Sequence, residues 1–144
     1  MRILVQRVHH AKCVVNDKIT GEIQKGFVLF VGISKEDDIS KAQVMANKIA
    51  HARLFEDENE KLNLNIQQIN GEILSISQFT LYADTKKGHR PSFDKAANAA
   101  IANEIYLAFN KHLRDYCKVE EGIFQAHMNI EVNNDGPVSI LYEN

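Results

Sequence analysis

Ser77, Thr80 and Ser139 are the candidate nucleophiles of this chain, and His9, His10, His51, His89, His112 and His127 the candidate bases. Such a set suits hydrolysis of an ester or amide when one of each meets within hydrogen-bond reach. The spacing argues against a pair: no Gly-x-Ser-x-Gly elbow and no triad pattern surrounds any of the three hydroxyls. His51 and His112 fall in helical stretches among charged neighbours, and His127 alternates onto a polar face, so each reads as a solvated or capping histidine. No side chain looks like a dedicated general base.

Four short words hold the remaining chemistry, each with two readings. Ser77-Gln78-Phe79-Thr80-Leu81-Tyr82 puts small hydroxyls, an amide and an aromatic on an extended segment; it is a substrate pocket or an ordinary central strand whose hydroxyls satisfy backbone groups. Asn134-Asp135-Gly136-Pro137-Val138-Ser139 is turn chemistry, the start of an edge strand, or a placed backbone feature. Arg7, in Gln6-Arg7-Val8, is a strand-edge salt bridge or a buried fork of five donors that fixes carbonyl directions. The loop from Asp84 to Phe93 holds Lys86-Lys87-Gly88-His89-Arg90, the densest basic cluster, either a solvated loop or a phosphate contact.

The elements that must position these words are those of one modest domain. The chain has 144 residues, 44% hydrophobic and 25% charged, enough for a single core spanning 1–144 and cramped for two. A formal net charge of -2 does not announce a nucleic-acid binder, so any RNA contact must be local. Phe27 to Val31, between Gly26 and Gly32, is far shorter than the roughly 20 residues of a membrane helix and reads as a buried strand. The N-terminal run carries Arg2 and Arg7 and lacks a secretory pattern, which points to the cytoplasm. Cys13 and Cys117 stand far apart without partners at ligand spacing, and both read as small core hydrophobes; no metal or cofactor is called for.

Along the chain, residues 2 to 8 and 11 to 15 suit two strands, broken at His9-His10 and followed by a turn at Asn16-Asp17. Ile39, Ala42, Met45, Ile49 and Ala52 recur at helical steps, with Asp38 as N-cap. Residues 56 to 71 read as a surface connection, and Ile73 to Tyr82 as a central strand. Ser92 is expected to cap a long helix to Tyr116 whose small residues Ala96, Ala97 and Ala100 allow close packing. Residues 124 to 132 alternate as a half-buried strand, leading through Asn134-Asp135-Gly136 into a last one. The sum is an α+β domain, a mixed sheet or partly rolled barrel with two principal helices and no readable strand order.

The four words, in order and at the expected spacing from Met1 to the end, closely resemble those of the D-aminoacyl-tRNA deacylases. The resemblance implies hydrolysis of the ester of D-aminoacyl-tRNA, and of glycine mischarged on tRNA for alanine, by a homodimer that handles the tRNA acceptor end. It implies that main-chain N–H groups around Gln78-Phe79 receive the ester carbonyl, with Ser77 and Thr80 shaping the pocket and Ala126 and Met128 in its wall. It implies a cis Gly136-Pro137 bond whose carbonyls enter the partner subunit's site and exclude L side chains, with Arg7 behind it. Lys86, Lys87 and Arg90 become contacts to tRNA phosphates. The absent base fits positioning of the ester with assistance from the RNA's 2′-hydroxyl. Two departures stand out: Ser139 where the family has Thr, and Phe124-Gln125-Ala126-His127-Met128 where Phe-Gly-Ala-x-Met is usual. A covalent serine esterase using Ser77 or Thr80, and a non-enzymatic nucleic-acid-binding module, are the rival readings.

Overall fold

Alternating burial carries β1 from Arg2 to Val15 as one strand, with Ile3 and Val5 facing one core, Ala11, Cys13 and Val15 the other, and the alternation shifting at Arg7-Val8. His9 and His10, expected to separate two strands, lie inside it, because cross-strand pairing on both sides overrides two locally polar residues. The chain reverses at Asn16 and Asp17, whose φ values of 49° and 61° are those of a tight hairpin turn, and returns as β2 (Lys18–Ile23) and β3 (Gly26–Gly32). These two strands are successive halves of one arm. Ala11 faces Ile23 and Val8 faces Gly26 in unbroken register, so a single long hairpin bends at Gln24-Lys25.

The computed structural model describes residues 1–144. It adds α1 (Ile39–Ala50), a two-stranded flap of β4 (Phe55–Glu56) and β5 (Leu62–Leu64), then β6 (Glu72–Ser77), α2 (Ala99–Leu113), β7 (Val119–Glu121) and β8 (Asn129–Glu143). The segment from 56 to 71 thus holds a small hairpin, and Ile66 within it is fully buried. The sheet runs β2-β1-β3-β6-β7, with β8 along the other edge of β1. Its β3-β6 and β6-β7 pairs are parallel and the rest antiparallel, giving a mixed sheet. The two ends nearly close a barrel. A Cβ on Gly21 of β2 would lie 3.0 Å from the Glu121 carbonyl of β7, so only glycine fits where the ends meet.

The helices cover one face. Asp38 accepts a hydrogen bond from the Lys41 amide at 2.9 Å and caps α1, as its sequence position indicates. Ser92 does not cap α2. Its backbone instead pairs with Asp84, and Asn98 takes the cap by accepting from the Ile101 amide at 3.0 Å, so the helix is shorter at both ends than the Ser92–Tyr116 stretch. Between helices and sheet lies a 21-residue core that includes Phe27, Phe55, Tyr106 and Phe109. A second core of eight residues, among them Val8, Cys13, Leu74 and Ile76, fills the curl of the sheet. The alternation of β6 explains the split, since Ile73 faces the helices while Leu74 and Ile76 face the curl.

Two further expectations change. The extended run ends at Ser77, and Phe79–Tyr82 turns into a single 3₁₀ helix whose Leu81 and Tyr82 side chains pack over Gly32 of β3. Residues 124 to 128 are not a strand; Gln125 has φ of 63°, and the chain straightens only at Asn129.

Candidate active site

A cavity of about 500 Å³ opens where the end of β6 meets the start of α2. Its first wall is Ser77, Gln78 and Phe79; its second is the loop Phe124-Gln125-Ala126-His127-Met128 with Ile130; Val31, Ile33 and Ile76 form the floor. Ala97, Ala99 and Ala102 close the side, and their short side chains leave the volume open. The lining is largely apolar with a few polar groups at the rim, the composition of a small-molecule or nucleoside-sized site.

Why the first wall turns is local. The Gln78 N–H donates to the Val31 carbonyl at 2.8 Å, the last pairing of β6, and the Leu81 N–H then turns back to the Gln78 carbonyl at 3.3 Å. The first amides of such a turn have no carbonyl inside it to receive them. Thus the Phe79 and Thr80 amides have no partner within the turn and the Gln78 amide is bonded to Val31; Gln78 and Phe79 line the cavity, whereas Thr80 does not. The Gln78 side-chain amide donates to the Thr80 hydroxyl, tying the turn to itself. Phe79 is 57% exposed and meets Phe93 edge-on with centroids 5.0 Å apart. Arg2 anchors the far end by donating to the Leu81 carbonyl at 2.9 Å.

No nucleophile-base pair is assembled. His127 is exposed, as its place on a polar face suggests, and also borders the cavity, on the opposite wall and without a hydrogen bond to Ser77 or Thr80. Nor do three His, Cys, Asp or Glu side chains come together anywhere in the fold. Cys13 is buried and Cys117 half-buried, both as free thiols, with burial pushing Cys117 up to about 11.

The basic loop leaves this wall directly. Backbone bonds of 2.7 and 3.0 Å between Asp84 and Ser92 pinch its base, and Lys86, Lys87 and Arg90 stand fully in solvent beyond it.

Gly136 and Pro137 lie elsewhere. The peptide bond between them is cis, Gly136 has φ of 116°, and both residues are exposed and absent from the cavity lining of their own chain. They occupy a bulge: Gln6 pairs with Ser139 and Val8 with Asn134, so Arg7 alone spans the four residues from 135 to 138. Arg7 is 5% exposed and holds the bulge from below. Its Nη1 donates to the Leu54 carbonyl at 2.9 Å, its Nε lies 2.9 Å from Asp135 Oδ2 as an ion pair without hydrogen-bond alignment, and Nη2 is 3.5 Å from Glu56. Asn134 completes the clamp by donating to the carbonyls of Arg7 at 2.8 Å and Val138 at 3.2 Å. None of the residues from 134 to 138 lines the cavity of its own chain.

Of the residues singled out from the sequence, Ser77, Gln78, Phe79, Ala126 and Met128 line this cavity and Thr80 does not; the alanines at and just before the start of α2 and the aliphatic floor were not singled out. The run of small residues from 96 to 102 was the available signal; it was read as close packing, whereas it makes room.

Three comparisons bear on these features. The family model described as D-Tyr-tRNA(Tyr) deacylase matches residues 4–143. A D-aminoacyl-tRNA deacylase of Staphylococcus epidermidis is 55% identical over 99% of this chain and 95% of its own length, and one of Staphylococcus aureus is 56% identical over the same shares. A solved structure named c-Myc DNA Unwinding Element Binding Protein superposes with a TM-score of 0.94 at 35% identity, covering 100% of this chain and 99% of that one. With a matched model over nearly every residue and relatives identical at more than half their positions, this chain belongs to the D-Tyr-tRNA(Tyr) deacylase family.

Proposed function

We propose that this protein hydrolyses the ester linking a D-amino acid to the terminal ribose of tRNA, releasing free D-amino acid and tRNA. The observation that carries the reading is the turn at the end of β6, where the Phe79 amide, having no carbonyl within the turn, borders a mostly apolar cavity. Donors held by the fold stabilise the oxyanion that forms when water adds to an ester carbonyl, an effect of about 3 kcal/mol per donor in other hydrolases. Water attacks the carbonyl carbon, the bond to the ribose oxygen breaks, and that oxygen leaves with a proton. With no histidine bonded to Ser77 or Thr80, the finer reading assigns proton handling to the adjacent 2′-hydroxyl of the RNA. The same reading includes glycine mischarged on tRNA for alanine, an ester that carries no side chain to be selected against.

Selection against L esters is assigned to Gly136-Pro137 of a second protomer. Two observations support this: the bulge is exposed and contributes no residue to the cavity of its own chain, and β8, paired only with β1, leaves a 15-residue edge open to another chain. Each site then draws on both protomers. Lys86, Lys87 and Arg90, beside the first wall, suit the phosphates of the acceptor end. The role is proofreading of charged tRNA in the cytoplasm.

A second reading is favoured by one finding, the name of the solved relative that binds a DNA element. In it the cavity and basic loop hold nucleic acid without cleavage. Incubating the pure protein with matched D- and L-tyrosyl-tRNA separates the two. Release of D-tyrosine with L-tyrosyl-tRNA left intact is expected; tight tRNA binding without release of either would favour the second reading. An aminoacyl-Ser77 or aminoacyl-Thr80 adduct seen by mass spectrometry would replace the RNA-assisted step with covalent catalysis.

A further inference from the structure

Behind the cavity, at the interface of β6 and α2, lies a group of buried polar side chains that the proposed mechanism does not use. Tyr106 is 1% exposed, and Ser75 and Asn110 are fully buried. The Tyr106 hydroxyl donates to the Ser75 carbonyl at 2.8 Å. That carbonyl also accepts the Gly122 N–H at 3.0 Å, the bond that starts the second wall. The Tyr106 ring meets Phe124 of that wall at a centroid distance of 6.1 Å. Asn110, one helical turn on, places its amide beside the Tyr106 hydroxyl, and neither its nitrogen nor its oxygen finds an aligned protein partner. The Ser75 hydroxyl is likewise unpartnered.

Polar groups kept in a core without full partners cost stability, and a fold that retains them calls for a reason beyond packing. Position supplies one. Ser75 lies two residues before Ser77, so its carbonyl is the point where the strand that feeds the first wall is bonded to the residue that begins the second. Burial pushes the Tyr106 hydroxyl up to about 12, which keeps it a neutral donor at any working pH.

We propose that Tyr106, steered by Asn110, is a positioning residue: its hydroxyl on the Ser75 carbonyl and its ring on Phe124 set the separation of the two cavity walls. It touches no substrate. The proposal rests on the deacylase reading for its kinetic consequence, and on geometry alone for its structural one. A wall displaced by a fraction of an ångström weakens alignment in the transition state more than ground-state binding, so the effect belongs in kcat.

The test uses Tyr106→Phe, which keeps the ring and deletes the hydroxyl, and Asn110→Leu, which swaps the unpartnered amide for hydrocarbon of similar size. On D-tyrosyl-tRNA, Tyr106→Phe should lower kcat about tenfold with KM within about twofold. Amide hydrogen exchange should quicken at both Gln78 and Gly122, with Ala46 of α1 as unchanged control. Asn110→Leu should melt no lower than wild type and still turn over more slowly, a split that a merely structural residue does not produce. Wild-type kcat in Tyr106→Phe, or unaltered exchange at either amide, overturns the proposal. If the unmutated protein leaves D-tyrosyl-tRNA intact, the deacylase reading falls, and the exchange at Gln78 and Gly122 still decides whether Tyr106 holds the walls.

Discussion

The turn at the end of β6 and the bulge of β8 are both short departures from regular strand, yet they are built in opposite ways. The β6 turn folds inward onto neighbours of its own chain: Val31 takes the Gln78 amide, Phe93 meets Phe79, and the 124–128 loop faces it across the cavity. The β8 bulge is held rigidly from beneath by Arg7 and Asn134 while Gly136 and Pro137 point their surface at solvent. The difference is that one departure completes a cavity within its own chain while the other presents a held feature to solvent. The proposed dimer would bring the two pieces to one site.

Four variants test that contrast. Arg7→Met has the largest expected effect, because it removes the guanidinium beneath Asp135 and leaves the Leu54 carbonyl without its donor. Breaking a buried pair this way costs about 3 kcal/mol, to be read by urea unfolding. A loss below about 1 kcal/mol would mean that the bulge holds its own shape. Gly136→Ala comes next. At φ of 116° the new methyl would stand 2.9 Å from Val138 Cγ2 and 3.2 Å from Arg7 Nη2. The expected cost is about 1–3 kcal/mol in stability, with D-ester hydrolysis measured well below the melting temperature falling further than the folded fraction. Retained hydrolysis would detach the bulge from the site.

Neutralising Lys86, Lys87 and Arg90 together should leave stability untouched and lower the slope of log affinity for tRNA against log salt by about 2. Discrimination between D and L esters should not change, since the loop sits beside the first wall and far from the bulge. An unaltered slope would move the RNA contact elsewhere. The smallest effect belongs to Gln125→Gly. Gln125 adopts φ of 63°, where a side chain is strained and glycine is not. Thermal unfolding should show a gain of at most about 1 kcal/mol, opposite in sign to Gly136→Ala. A loss would mean that the Gln125 side chain does more for the cavity rim than it costs the backbone.

The two regions also differ in how legible they were. Arg7 could be read only as an open choice, since burial comes from β4 and β8 stacking over β1, three segments far apart in the chain. Ser77 to Phe79 was singled out by the family words, whereas its expected continuation as strand through Tyr82 is not what forms, because propensity sees a β-rich word and cannot see the turn that packs it over Gly32. His9-His10 shows the converse: two locally polar residues are carried inside β1 by partners on both sides. The helix at Ile39 was legible to its cap because Asp38 and the apolar spacing act within one turn. The start of α2 was not, because Ser92 was drawn away into a backbone pair with Asp84.

What the sequence determined by itself were the features that act over a few residues: the α1 cap, the Asn16-Asp17 turn, the buried β3 run, the basic loop and the words that mark the family. Tertiary structure alone decided that β2 and β3 form one arm, that the sheet closes at Gly21, that the alanines of α2 open a cavity, and that Tyr106 joins its walls. The physical reason is range. Hydrogen-bond caps and turns are settled by neighbours along the chain, whereas cavities and buried ion pairs are settled by which distant surfaces meet, and that depends on the whole core at once.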